Sequence, residues 1–236
     1  MRPLHQRIRD RPALQDDARA AAELGRLADR CRGEPGLERL GALIATPEVG
    51  GLLSGIFAAS PYLTSLIERD PASLQAALAS VPEQRFAALI QEAAAAADAA
   101  QSPPDVMQVL RRFKSEVALL VALSDIAGVW PVMTATRRLS EAADAAVAAA
   151  VRFLFRQAHA KGDCLTPQAE GYIVLAMGKH GAFELNYSSD IDLIVFYDPA
   201  RVRLRAGLEV QTFLVRLTRD LVRILNERTE HGYVFR

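Results

Sequence analysis

The chain is poor in cysteine, in aromatic side chains and in net charge: its 236 residues include two cysteines, one tryptophan and 6% aromatics, and 28 basic side chains balance 28 acidic ones. Each scarcity excludes something. Cys31 and Cys164 stand far apart, with no partner at metal-ligand or redox-motif spacing, which argues against a disulfide framework or a zinc centre. A balanced charge offers no cationic face for a polyanion, so bulk DNA or RNA binding is disfavoured. No apolar run reaches the ~20 residues that span a bilayer, and Met1-Arg2-Pro3-Leu4-His5 lacks the apolar stretch of a secretory signal. The expected location is cytoplasmic, with no membrane partner.

What the chain has in quantity is apolar surface: half of its residues are hydrophobic, enough for a substantial core. From the beginning to about residue 165, alanine and leucine dominate and turn signals separate segments of helical length. Val106, Val109, Leu110, Phe113, Val117, Leu120 and Val121 recur at the spacing that gathers them on one helical face, which leaves Arg111, Arg112, Lys114 and Glu116 for the other side. Ser102-Pro103-Pro104 and Pro131 predict helix boundaries, because proline lacks the amide proton and restricts its predecessor. Leu139, Ala143, Ala146, Val147, Ala150 and Leu154 predict a further helix, and the alanine run from Glu92 to Ala100 strongly favours another.

Past Lys161-Gly162-Asp163 and Thr166-Pro167 the texture changes. Tyr172-Ile173-Val174-Leu175-Ala176-Met177, between Gly171 and Gly178, predicts a buried central strand. Ile191 to Tyr197 predicts a second strand, stopped at Asp198-Pro199. Val210, Phe213, Leu214, Leu217, Leu221, Ile224 and Leu225 predict a long amphipathic helix, and Tyr233-Val234-Phe235, after His231-Gly232, reads as the start of a third strand. The expected class is α+β: an all-helical region over residues 1–165, then a partial α/β core over residues 166–236.

The chemistry is concentrated between the first two strands. In an extended segment alternate side chains share a face, so Asp190 and Asp192 project together while Ile191 and Leu193 point away. Two neighbouring carboxylates repel unless a cation lies between them. Mg2+ suits them, since it takes one or two carboxylates, several waters and substrate phosphates. Gly178 and Gly181 allow backbone to approach a phosphate closely, amides of the short intervening helix can donate to it, and Ser188 and Ser189 add hydroxyls. Lys179 either adds a positive charge or is simply solvated. An Asp-x-Asp pair by itself is commonplace. A buried strand, a glycine-rich turn, a short helix, Ser-Ser and a hydrophobic strand bearing both aspartates together form the layout of a nucleotidyltransferase core.

Met177-Gly178-Lys179-His180-Gly181, followed by Glu184-Leu185-Asn186-Tyr187-Ser188-Ser189-Asp190-Ile191-Asp192-Leu193, resembles the signature of the bifunctional glutamine synthetase adenylyltransferase/adenylyl-removing enzymes. Ser60-Pro61-Tyr62-Leu63, Asp70-Pro71, Leu110-Arg111-Arg112-Phe113-Lys114 and Arg228 to Arg236 resemble further parts of the same family. The resemblance is specific from Met177 to Asp192 and weaker in the helical half. That family repeats its nucleotidyltransferase unit, and Asn-Tyr-Ser-Ser-Asp-Ile-Asp is similar to the N-terminal, adenylyl-removing copy.

The resemblance implies Mg2+-dependent phosphorolysis of adenylyl-tyrosine on glutamine synthetase, in a protein that also adenylylates glutamine synthetase with ATP to control nitrogen assimilation. It implies Asp190 and Asp192 as metal-binding catalytic residues, and Gly178, Lys179, Gly181, Ser188 and Ser189 as residues that meet phosphate or nucleotide. The implied partners are adenylylated glutamine synthetase, the PII nitrogen-signalling protein and the nucleotides ADP and ATP. It also implies a third carboxylate beyond Arg236, so the expectation is that this chain alone has little or no activity. His180 stands where the family usually has leucine, and Ala182 where it often has a second glycine.

Other residues invite blander readings. His180 is expected to be an exposed loop histidine without a role, and His231 has an even weaker case. Glu184 is expected to brace the short helix, Trp130 to anchor a core, and Arg216, Arg219 and Arg223 to form a solvated face. Two competing functions remain: a related nucleotidyltransferase acting on a small molecule, and a helical interaction module whose nucleotidyltransferase core has decayed.

Overall fold

The computed structural model describes residues 1–13, 17–230 and 232–236. Its elements run α1 (Asp17–Gly33), α2 (Glu38–Ile44), α3 (Pro47–Ala59), α4 (Pro61–Arg69), α5 (Pro71–Ala79), α6 (Pro82–Ala99), α7 (Pro103–Ile126), α8 (Val132–Ala160), β1 (Tyr172–Met177), α9 (Gly178–Gly181), β2 (Asp192–Tyr197) and α10 (Val210–Asn226). The class is α+β: mostly helical, with one antiparallel pair of strands among the described residues.

Proline writes the helix starts. α3, α4 and α5 each open on one, where a missing amide proton costs nothing and the fixed φ suits a first turn. Ser60 and Asp70 cap α4 and α5, their side chains accepting from the amides of Leu63 and Ser73 at 3.3 and 3.1 Å.

The chain divides into two compact units, residues 1–88 with 115–135, and residues 89–114 with 136–236. The first unit is helical and buries Leu40, Leu52, Leu53, Ile56, Phe57, Ile67 and Leu74. Glu83 is a part-buried anion held by two side chains of this unit. Arg7 donates to both carboxylate oxygens at 2.9 to 3.1 Å, and Trp130 Nε1 donates at 3.0 Å. Trp130 is thus the core anchor expected of it, packed edge-on against Phe86 at 6.4 Å between ring centres. Among the described residues no single helix is long and apolar enough to cross a membrane. α2 and α3 reach that length and apolarity only as a pair, bent by 88° at their junction.

In the second unit the two strands pair antiparallel, with Tyr172 opposite Tyr197 and Met177 opposite Asp192. Aromatic side chains seat the sheet on its helices: Phe155 of α8 packs against Tyr172 at 5.6 Å and against Phe213 of α10 at 6.3 Å. Tyr172 and Thr218 exchange a hydroxyl hydrogen bond of 2.8 Å. Phe213, Leu214, Leu217, Leu221, Ile224 and Leu225 form the buried stripe of α10 that its spacing predicts.

Three expectations are corrected. β1 is not a central strand buried on both sides: Ile173, Leu175 and Met177 are exposed, as are Ile194 and Phe196 of β2. Helices cover only one face, and an unbroken apolar run cannot say how many faces are covered. Tyr233-Val234-Phe235 does not start a third strand. The amides of Val234 and Phe235 both donate to Leu225 O, at 2.9 and 3.1 Å, closing off the end of α10 instead of entering a ladder. Finally, α7 has no simple polar side, because Met107, Arg111 and Ala118 are buried as well as Val106, Leu110, Phe113 and Val117.

Candidate active site

The site is built where β1 runs into α9. Gly178 has φ 55°, a left-handed conformation that an L side chain adopts only with strain. A Cβ placed on it would stand 3.2 Å from Asp192 Oδ2, so the space beside that carboxylate is kept clear of a side chain. At Gly181 a Cβ would fall 2.4 Å from Ala176 O, which closes the turn onto the end of β1. The glycines therefore permit two close approaches, one of them to a candidate metal ligand.

β2 starts at Asp192, one residue later than its hydrophobic pattern indicates, so Asp190 stands in the lead-in segment. Its carboxylate is 61% exposed and lies 3.4 Å from Arg236 Nε. Ile191, between the two aspartates, donates its amide to Arg236 O at 3.0 Å. Asp192 is exposed too. Among the described residues these two are not joined by further His, Cys, Asp or Glu side chains into a group of three that would hold a metal.

Ser188 and Ser189 sit on a turn organised by Asn186, whose Oδ1 accepts from Ser188 N at 3.0 Å and from the Ser189 hydroxyl at 2.9 Å. The Ser189 hydroxyl oxygen in turn accepts from Asn186 N at 3.2 Å. Ser189 is therefore committed to holding the turn, and Ser188 presents its side chain on the exposed side. Lys179 is exposed on α9, and its carbonyl accepts from Glu184 N at 2.8 Å, so Glu184 closes the short helix through its backbone.

His180 is not an exposed loop histidine. It is 2% exposed, and its Nε2 meets Asp144 Oδ1 of α8 at 2.8 Å. One turn earlier on α8, Ser140 Oγ accepts from Leu185 N at 3.3 Å, and Arg137 lies 5.0 Å over the ring of Phe183, which holds φ 59°. Arg137, Ser140 and Asp144 thus brace the signature loop from one face of α8. His231 lies outside the described residues.

Two cations escaped sequence reasoning. Arg111 is 1% exposed, and its guanidinium donates to Met107 O at 2.9 Å, Ile224 O at 3.2 Å, Gly232 O at 2.8 Å and Glu227 O. Lys114, one turn on, holds Nζ 4.6 Å from the ring centre of Tyr233 and 5.1 Å from that of Phe235. Burial pushes its ammonium down to about 8, the charges of Arg236 and Arg111 add to the shift, and Asp190 opposes it. The available signal was the spacing Met107, Arg111, Lys114, Ala118, a second helical stripe with two cations set among small and apolar residues. Arg216, by contrast, is 59% exposed and pairs with Asp163 at 2.8 Å, in keeping with its place on the solvated face of α10.

A glycine turn beside two exposed aspartates is an arrangement that can meet an oxygen-rich, phosphorylated ligand. Comparison with known proteins gives the family. Residues 51–236 match the family model for glutamate-ammonia ligase adenylyltransferase, and the chain belongs to that family. The relatives are named bifunctional glutamine synthetase adenylyltransferase/adenylyl-removing enzymes. One from Bradyrhizobium diazoefficiens is 50% identical over 204 residues, covering 84% of this chain and 20% of the relative. One from Rhodopseudomonas palustris strain BisB5 is 51% identical over 196 residues, 80% of this chain and 20% of the relative. A third, from strain HaA2 of that species, is 46% identical over 225 residues, 93% and 21%. The chain spans about a fifth of the length of the curated relatives it matches.

Proposed function

We propose that this chain carries the carboxylate core of an adenylyl-removing nucleotidyltransferase acting on adenylylated glutamine synthetase. The observation that supports it best is the placing of the Gly178 turn beside the Asp192 carboxylate, where a Cβ on residue 178 would stand 3.2 Å from Oδ2, with Asp190 two residues before it. The reaction is phosphorolysis. A phosphate oxygen attacks the AMP phosphorus, the bond from phosphorus to the tyrosyl oxygen breaks, that oxygen takes up a proton, and ADP leaves. The same protein adenylylates glutamine synthetase with ATP, answers to the PII protein and works in the cytoplasm.

Two exposed carboxylates, without histidine or cysteine gathered beside them among the described residues, fit a hard, oxygen-binding ion that retains water, and Mg2+ is an ion of that kind. Asp190 and Asp192 would hold it, and it would supply neutralisation of charge on the transferred phosphoryl group. Around it the chain's own groups bind and orient. The turn at Gly178 and Gly181 lets backbone amides reach phosphate oxygens, since first-turn amides have no partner within a helix. Ser188 adds a hydroxyl donor, Ser189 fixes the turn that presents it, and Lys179 adds positive charge at the rim.

Replacing both aspartates, Asp190→Asn with Asp192→Asn, tests the reading. Mn2+ binding, followed by electron paramagnetic resonance as a stand-in for Mg2+, is expected to disappear in the double variant. ADP release from adenylylated glutamine synthetase is expected to fall by at least about a thousandfold when the corresponding carboxylates of a full-length relative are replaced. Metal binding or ADP release that survives the double replacement would reject the assignment.

A further inference from the structure

Lys114 is unusual among the basic residues near the carboxylates. Arg111 anchors α7 to four carbonyls, three of them at or beyond the end of α10, and so fixes the residues that follow α10 against α7. Those residues bring Tyr233 and Phe235 under the Lys114 ammonium and place Arg236 5.2 Å over the same Tyr233 ring, with its Nε 3.4 Å from Asp190 Oδ1. Arg236 has an anionic partner. Lys114 has none within ion-pair distance among the described residues, only the two rings.

Ring faces attract an ammonium but take none of its three N–H donors, so a half-buried lysine held this way keeps hydrogen-bonding capacity unspent. Taking an ammonium out of water without an anion is unfavourable, and a ligand that supplies the anion recovers the loss. Charge counting points the same way. Lys114 and Arg236 cancel Asp190 and Asp192, and a divalent metal on the carboxylates would leave the cluster at +2, the complement of a phosphate dianion.

We propose that Lys114 is a phosphate-binding residue of this site, its ammonium meeting an oxygen of the phosphate or phosphoryl group brought to Asp190 and Asp192. The proposal rests on the reading of those aspartates given above. It assigns the ammonium of α7 to the ligand and Arg111 to positioning, since Arg111 spends its guanidinium on the backbone that carries the rings.

The test measures binding of inorganic phosphate, with Mn2+ present, to the 236-residue chain and to Lys114→Gln and Lys114→Arg, each checked by thermal melting. Loss of a charge-assisted contact is expected to weaken phosphate binding by about tenfold or more in Lys114→Gln, and Lys114→Arg is expected to recover most of it. Phosphate affinity unchanged in Lys114→Gln, or no measurable phosphate binding by the parent chain, overturns the proposal.

Should Lys114→Gln fail to fold, acylation of the parent decides. The chain has three lysines, Lys114, Lys161 and Lys179, which mass spectrometry resolves separately. Phosphate is expected to slow acylation of Lys114 severalfold and to leave the exposed Lys161 unaffected, and equal rates with and without phosphate refute the role. The Mn2+ measurement on the doubly substituted aspartate variant separates the two claims. If metal binding needs Asp190 and Asp192 while Lys114→Gln binds phosphate normally, Lys114 is wrong and the metal site stands. If metal binding ignores the aspartates, the site reading falls whatever Lys114 does.

Discussion

Arg111 shows how far a single residue can depart from its hydropathy. Five donors in a rigid fork allow it to satisfy four carbonyls while fully buried, and burial lowers its affinity for the proton without removing the charge. A lysine at this position has one nitrogen on a flexible stem and cannot reach all four oxygens. Arg111→Lys is expected to cost about 2–4 kcal/mol, because it strands buried carbonyls, and urea denaturation of the chain measures it. A midpoint within error of the parent would mean that the carbonyls find other partners. Hydropathy put Arg111 on a polar face because it scores the charge and not the geometry of the fork. The same blindness applied to His180, scored as an exposed polar residue and found buried.

At the scale of elements, α8 decides the shape of the signature loop. Its Arg137, Ser140 and Asp144 recur at the three-and-four spacing of one helical face, and each holds a different point between His180 and Leu185. The bond from His180 to Asp144 is a brace with a weakness, since His180 Nδ1 is buried with no hydrogen-bond partner among the described residues and Asp144 is 52% exposed. Leucine, the residue that the family resemblance leads one to expect there, would fill the space and remove the unpaired nitrogen, and water can take over the exposed oxygen of Asp144. His180→Leu is expected to leave the melting temperature unchanged or slightly raised. His180→Ala, which empties the space, is expected to cost about 1–3 kcal/mol. A large loss in the leucine variant would show that the hydrogen bond and not the packing holds α9. The periodicity of α8 was plain in its alanines and leucine, but which polar residues on it touch the loop was not, because pairing across about 40 positions has no local signal.

Across the whole molecule the charges balance, so stability against pH turns on particular pairs. Glu83 is the clearest. Its burial opposes ionisation, but the Arg7 and Trp130 hydrogen bonds outweigh this and hold the carboxyl down at about 2. A depressed carboxyl contributes stability that is complete above its unfolded value of 4.5 and drains away as the pH falls toward about 2. Glu83→Gln is therefore expected to melt lower than the parent at pH 7, with the difference shrinking between pH 4.5 and 2, as calorimetry over that range would record. A gap independent of pH would assign the effect to packing. The sequence by itself determined the starts of α3 to α8, which proline sets locally, the apolar stripe of α10, which periodicity sets, and the motif that identifies the family. Tertiary structure alone decided that one sheet face stays open, that residues 233–235 close off α10 instead of forming a strand, and that Lys114 stands over aromatic rings near Asp190. Those outcomes depend on which backbone donors and which faces find partners distant in the chain, and no local pattern records that.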